Sequence, residues 1–202
     1  MLKIYHAPKT RGFRAIWACE ELGVPYEIKP VNLTETYRFS SEYLRVNPTG
    51  KVPAIVDGDI TMFESGAIVQ YIINRYDSGL LQPSIQSSLY PTYLQWSWFA
   101  EATLAPPVSE IIKHKRAFPG AYNETILNVF KERARDCMDV LDQNLSGPWL
   151  LGDLFSGADI MTGLTIMGYQ RSVDAKLPSN TEQYFQRLSK RPAFVRAKSS
   201  DQ

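Results

Sequence analysis

Long apolar runs are missing from this chain. No stretch approaches the roughly 18 to 20 apolar residues that a membrane-spanning helix needs. The opening Met1-Leu2-Lys3-Ile4-Tyr5-His6 has neither the basic lead nor the apolar core of a secretion signal. A cytoplasmic protein without a membrane partner is expected. Cysteine is nearly absent, with only Cys19 and Cys137 present, far apart in sequence. That excludes a disulfide scaffold and any CxxC or Cys/His zinc spacing, so no metal is expected and both thiols read as small core residues. A charge excess is missing too: 22 Lys and Arg face 21 Asp and Glu. No overall field exists to recruit nucleic acid. The short run Lys113-His114-Lys115-Arg116 reads as a solvated helix end.

What the chain does have is ordinary globular composition, 202 residues with 44% hydrophobic, enough for one large domain or two small ones. The first third alternates short strand-like and helix-like pieces. Leu2 to His6 and Tyr26 to Val31 read as strands, with a helix over Arg11 to Leu22 between them that stops at Gly23. A helix over Ser40 to Val46 ends at the turn signal Asn47-Pro48-Thr49-Gly50. Pro53 to Val56 and Ile60 to Phe63 flank Asp57-Gly58-Asp59 as a hairpin, and a helix runs from Ser65 to about Tyr76. Past Tyr76 no strand pattern recurs. Helical segments are predicted at about 87–114, 123–145, 157–170 and 181–189. The expected division is an α/β domain over 1–77, a linker near 78–86, and an all-helical domain over 87–202.

Three features of the first domain could carry chemistry. Val52-Pro53 sits where a loop enters a strand, the position a proline without an N–H tolerates. A cis bond there would expose the backbone groups of Val52 to a ligand, and a trans turn proline is the plainer alternative. Glu64-Ser65-Gly66 opens a helix. Ser65 reads as an N-cap, the helix N-terminus suits a carboxylate, and Glu64 suits an ammonium group. Together they match the α-amino acid end of a ligand, although a capped helix beside a solvated Glu has the same pattern. Pro8-Lys9-Thr10-Arg11 forms the turn from the first strand into the first helix, where ligands gather in open α/β sheets. A hydroxyl from Thr10 and the positive charge of Arg11 would lower the pKa of a bound thiol from about 8.5. Thr10 would serve equally as a plain N-cap.

These blocks together resemble a cytosolic glutathione S-transferase along essentially the full chain. The match runs through Arg14-Ala15-Ile16-Trp17-Ala18-Cys19-Glu20-Glu21-Leu22-Gly23 and Asn47-Pro48-Thr49-Gly50-Lys51-Val52-Pro53-Ala54-Ile55. It continues in Phe63-Glu64-Ser65-Gly66-Ala67-Ile68 and Ser156-Gly157-Ala158-Asp159-Ile160. The resemblance implies a thioredoxin-like βαβ-α-ββα domain with Pro53 cis, an all-α second domain, and a homodimer. It also implies that glutathione, the co-substrate, lies with its cysteinyl backbone on Val52 and its γ-glutamyl end on Glu64 and Ser65, with Lys51 nearby. Ser156 and Asp159 match the family's helix-capping signature, a structural element in which each side chain bonds the other residue's backbone N–H.

Family members differ at the thiol-activating position. Counting four residues back from Arg14 reaches Thr10, where other members carry serine; members that use tyrosine point instead to Tyr5. Thr10 is the favoured assignment. No cysteine lies between Met1 and Ala18, which argues against glutaredoxin-like disulfide reduction. The function implied is activation of the glutathione thiol for attack on small hydrophobic electrophiles or peroxides. The alternatives are a non-catalytic binding or regulatory module and a glutathione-dependent isomerase. By the same resemblance the electrophile would lie between the domains, with Tyr93, Trp96, Trp98 and Phe99 as candidate walls and His114 as a further one.

Overall fold

Alternation along the first strand sets the first layer of the fold. The structure, a computed structural model, describes residues 1–201. In β1 (Leu2–His6), Leu2, Ile4 and His6 are buried, while Lys3 and Tyr5 face the other side and are half-buried. The α1 helix (Phe13–Leu22) follows and ends at Gly23, whose left-handed backbone (φ 65°) lets the chain turn out of the helix. It starts two residues later than the sequence pattern suggests, after a tight turn at 10–12. β2 (Tyr26–Pro30) pairs parallel to β1. Two single-turn helices come next, α2 (Glu35–Arg38) and α3 (Ser41–Leu44), the first unmarked in the sequence pattern. Then β3 (Ala54–Asp57) and β4 (Ile60–Phe63) form the hairpin, and α4 (Ser65–Tyr76) closes the unit.

The sheet has the order β2-β1-β3-β4, with β3 antiparallel to β1 and β4 antiparallel to β3. This is the thioredoxin-like arrangement, completed by an all-helical part. The chain divides into two compact units: Met1–Leu81 joined by the segment from Lys190 on, and Gln82–Ser189.

The helical unit contains α5 (Tyr90–Trp98), a π-helical segment (Phe99–Leu104), α6 (Ala105–Ala117), α7 (Glu124–Asn144), α8 (Gly157–Ser172) and α9 (Ser179–Ser189). The π-helical segment interrupts what the sequence pattern predicts as one helix, and two prolines explain it. Pro106 and Pro107 have no N–H to offer the carbonyls of Ala102 and Thr103, four residues back. The turn before them widens: Ala105 N–H bonds the Ala100 carbonyl, five residues back. Thr103 offers its carbonyl to Cys137 Sγ at 3.6 Å instead. At the centre, α8 is buried on all sides from Gly157 to Tyr169, as expected of a helix without a polar face.

Its N-terminus carries the capping box of Ser156 and Asp159. Asp159 accepts hydrogen bonds from Ser156 N–H (2.8 Å), Ser156 Oγ (3.1 Å), Leu150 N–H (3.0 Å) and Tyr184 Oη (2.9 Å). Burial pushes this carboxyl up to about 6, and the four donors favour its ionised form.

One further helix, α10 (Pro192–Ser200), corrects the expected extent of the helical domain. Residues 190–201 belong with the first unit, not with the helical unit. Phe194 of α10 makes edge-on ring contacts with Trp17 at 4.9 Å and Phe13 at 5.5 Å, both on α1. Arg191 forms a two-pronged pair with Glu21 at 2.7 Å, and Arg196 reaches Glu20 at 2.6 Å. Helical spacing does not reveal which unit a terminal helix covers. The apolar face of α1 and its two glutamates make that choice.

Candidate functional site

Strand register brings the three sequence features to one end of the sheet. Tyr5 of β1 lies opposite Ala54 of β3, and Ala54 lies opposite Phe63 of β4. The exit of β1, the entry of β3 and the exit of β4 are therefore neighbours. Thr10, Val52-Pro53 and Glu64-Ser65 all follow or precede these ends by a few residues. No cluster of three or more His, Cys, Asp or Glu placed to hold a metal occurs among the described residues.

The entry to β3 is shaped by a polar turn. Asn47 Oδ1 accepts from the N–H (3.0 Å) and hydroxyl (2.7 Å) of Thr49, and Gly50, at φ 62°, reverses the chain. A side chain at Gly50 would also strike Phe39, whose ring carbon lies 2.7 Å from the Cβ position. Past the turn, two donors converge on one carbonyl: Tyr43 Oη at 2.7 Å and Asn47 Nδ2 at 2.6 Å both bond Lys51 O. They fix the plane of the peptide joining Lys51 to Val52. The Val52–Pro53 bond is cis. Among the described residues none makes a hydrogen bond to Val52, which leaves its N–H and C=O available to an extended ligand backbone. The Lys51 side chain is exposed beside it.

At the exit of β4 the structure changes the role of one residue. Ser65 is the first residue inside α4, and Glu64 holds the cap position with φ 72° and ψ 109°. The serine is therefore not the N-cap. Glu64 has a positive φ with ψ 109°, a sparsely populated backbone conformation that costs an ordinary residue about 1–3 kcal/mol, and it is exposed at the helix N-terminus. Ser65 is buried, and Arg14 Nη1 donates to its Oγ at 2.9 Å. With a lone pair so occupied, the Ser65 hydroxyl can direct its own proton outward. The first N–H groups of α4 and the buried Arg14 guanidinium add positive potential at the same point. Arg14 belongs to this cluster of candidates, and sequence reasoning passed over it. Its signal was an arginine between Phe13 and Ala15-Ile16-Trp17, in a helix face otherwise apolar.

At the exit of β1, Thr10 and Tyr5 part company. Thr10 is half-buried in the turn before α1; its hydroxyl donates to Ala7 O at 2.6 Å and accepts weakly from Gly12 N–H at 3.4 Å. Gly12 holds the N-cap position, so Thr10 does not cap the helix. The hydroxyl remains three residues from the start of α1, and Arg11 follows it, half-buried. Tyr5 faces away from Ile4 and His6. Its ring lies 6.3 Å from Tyr43 of α3, which in turn lies 5.7 Å from Tyr37 of α2, a three-ring cluster joining β1 to the two short helices.

The candidate walls and His114 belong to the helical unit. His114 accepts from Asn123 N–H at 2.9 Å and lies against Phe118, ordering the turn between α6 and α7. Tyr93 and Trp96 are buried in the helical unit, Phe99 is half-buried, and Trp98 is exposed. Burial pushes the Cys19 thiol up to about 12, while Cys137 is only half-buried and not the core residue its sequence context suggests.

Residues 1–74 match the family model described as the glutathione S-transferase N-terminal domain. Across curated proteins, the chain is 32% identical to glutathione S-transferase 4 of Zea mays over 89% of its own length and 83% of that protein. It is 29% identical to a disulfide-bond oxidoreductase of Escherichia coli K12 over 98% of this chain and 94% of that one. Among solved structures, a Phanerochaete chrysosporium glutathione transferase with oxidized glutathione superposes with a TM-score of 0.89. It has 23% identity, with 99% of this chain and 94% of that chain covered.

Proposed function

The chain belongs to the glutathione S-transferase family, and from that premise we propose that it binds glutathione and activates its thiol as a nucleophile. The observation that carries this is the Glu64-Ser65-Arg14 constellation. An exposed carboxylate stands beside a buried hydroxyl that a buried guanidinium holds at 2.9 Å, at a helix N-terminus. The arrangement suits the γ-glutamyl end of the tripeptide, which carries an ammonium and a carboxylate on one carbon. Val52, with its backbone groups free, takes the cysteinyl amide, and Lys51 and Arg11 supply positive charge around the peptide.

The thiol then lies toward the turn at the exit of β1. Thr10 donates to the sulfur after its hydroxyl rotates away from Ala7 O, and the N-terminal dipole of α1 adds to the stabilisation of the thiolate. The deprotonated sulfur attacks the carbon of a small hydrophobic electrophile and displaces its leaving group, or it attacks a peroxide oxygen. The second course breaks the O–O bond to release water or an alcohol and leaves a glutathione sulfenic acid that a second glutathione reduces to the disulfide. The gain comes from thiolate stabilisation and proximity. The first domain, over 1–77, holds the glutathione. The working form is a cytoplasmic homodimer active in detoxification.

A second reading has one specific support. The E. coli relative named a disulfide-bond oxidoreductase aligns over nearly the whole chain. The turn from Ala7 to Gly12 contains no cysteine, so disulfide exchange here would run on the glutathione sulfur itself.

The test is retention on immobilised glutathione followed by two assays, conjugation of a chloronitrobenzene and glutathione-dependent reduction of a small disulfide. Retention with conjugation is expected. Failure of the protein to bind glutathione would sink both readings. Retention with neither activity would favour a non-catalytic binding module.

A further inference from the structure

Behind the turn that carries Thr10 lies a buried pair outside the glutathione contacts. His6, at the end of β1, and Asp201, at the end of α10, are both buried, and His6 Nε2 lies 3.0 Å from Asp201 Oδ1. The same carboxylate oxygen accepts a hydrogen bond from the Lys9 backbone N–H at 3.0 Å. Lys198 Nζ lies 3.5 Å from Oδ2. Burial pushes the Asp201 carboxyl up, but His6, the Lys9 N–H and Lys198 together bring it below its ordinary value, so it is an anion at neutral pH.

The turn is held at two points. Lys9 has φ 62°, a left-handed conformation that a residue with a side chain rarely adopts unless its surroundings impose it. Its N–H is the group bonded to Asp201 Oδ1. Three residues on, Gly12 rests on the His6 ring: a Cβ at Gly12 would stand 2.3 Å from His6 Nδ1. Thr10 lies between these two anchors, and its hydroxyl position is set by the path of the chain from Lys9 to Gly12.

We propose that Asp201 is a positioning residue for thiol activation: with His6 it clamps the turn from Ala7 to Gly12 so that the Thr10 hydroxyl faces the glutathione sulfur. The inference rests on the assignment of Thr10 made above. It adds that a residue of the C-terminal helix, touching neither glutathione nor electrophile, sets the geometry of that hydroxyl.

The experiment compares wild type, Asp201→Ala, Asp201→Asn and the double variant Asp201→Ala/Lys9→Gly, each assayed well below its melting temperature. Asp201→Ala should lower kcat about ten-fold and leave the glutathione Kd within two-fold, because Glu64, Ser65 and Val52 are untouched. Asp201→Asn keeps an oxygen for the Lys9 N–H and should stay within about three-fold of wild-type kcat. Glycine adopts positive φ without help, so Lys9→Gly should restore part of the lost turnover.

A folded Asp201→Ala with wild-type kcat overturns the inference and leaves glutathione binding standing. Wild-type protein that binds no glutathione overturns the reading of the site and this inference with it. Should Asp201→Ala fail to fold, hydrogen exchange of the wild-type protein decides: the Lys9 amide should exchange slowly for a loop amide, and rapid exchange overturns the clamp.

Discussion

Arg14 Nη1 donates to Ser65 Oγ at 2.9 Å, in the buried space between α1 and the start of α4. The contact joins the helix that follows the candidate thiol-activating turn to the serine proposed to hold the γ-glutamyl carboxylate. Ser65→Ala should remove one charge-assisted hydrogen bond to glutathione, worth about 1.5–3 kcal/mol. The glutathione Kd should rise roughly ten-fold or more, measured by calorimetry or by quenching of intrinsic fluorescence. An unchanged Kd would remove Ser65 from the site.

Thr10 and Tyr5 make opposite predictions. Thr10→Ala removes the hydroxyl nearest the start of α1 and should lower kcat at least ten-fold with the glutathione Kd little changed, while Thr10→Ser keeps a hydroxyl and most of the activity. Tyr5→Phe should be close to wild type, since the Tyr5 ring packs toward Tyr43 on the other side of β1. Steady-state conjugation kinetics decide between them. Loss of turnover in Tyr5→Phe with full activity in Thr10→Ala would reverse the assignment.

Asp159 ties acid stability to one buried carboxyl. Its folded pKa of about 6 lies above the unfolded value of 3.8, so the native state binds the extra proton between those limits. This group's contribution to stability is greatest below about pH 4 and falls as pH rises through 6, by about 3 kcal/mol in all. Urea unfolding of wild type and Asp159→Asn across that range should show the gap between them narrowing as pH rises. A gap that widens or stays level would mean that the four donors hold the carboxylate more strongly than burial opposes it.

Neither cysteine should take part in turnover. Cys19 is buried and its thiol is pushed up to about 12, so at neutral pH it offers almost no thiolate; half-buried Cys137 is also raised by burial. Maleimide applied to the native protein should leave Cys19 unmodified and react, slowly, only with Cys137. The labelled protein should keep its glutathione-dependent activity, as followed by mass spectrometry and kinetics in parallel.

Local patterns in the sequence determined much of the architecture. The alternation of Leu2, Ile4 and His6, the stop at Gly23, the Asp57-Gly58-Asp59 turn and the Ser156/Asp159 capping box are interactions between residues a few positions apart. Periodicity and turn chemistry report them directly, and they led to a small α/β unit followed by helices; that its sheet would be thioredoxin-like was implied by the family resemblance. They also marked Val52-Pro53 and Glu64-Ser65 as places to look. Local pattern was less reliable at element ends. It made Ser65 a cap where Glu64 holds that position, and it ran one helix through a segment that Pro106 and Pro107 widen.

Tertiary structure alone decided what surrounds the candidate site. Arg14 meets Ser65 across 51 residues of sequence, and Lys9 meets Asp201 across 192. Tyr43 and Asn47 converge on a single carbonyl because α3 folds back over the entry to β3. Such contacts have no period and no spacing rule. They arise when packing removes water from groups that must then find partners among whatever side chains lie within about 3 Å. The chain alone marked Thr10, Val52-Pro53 and Glu64-Ser65 as candidates, and only the folded protein revealed which residues bond to their surroundings.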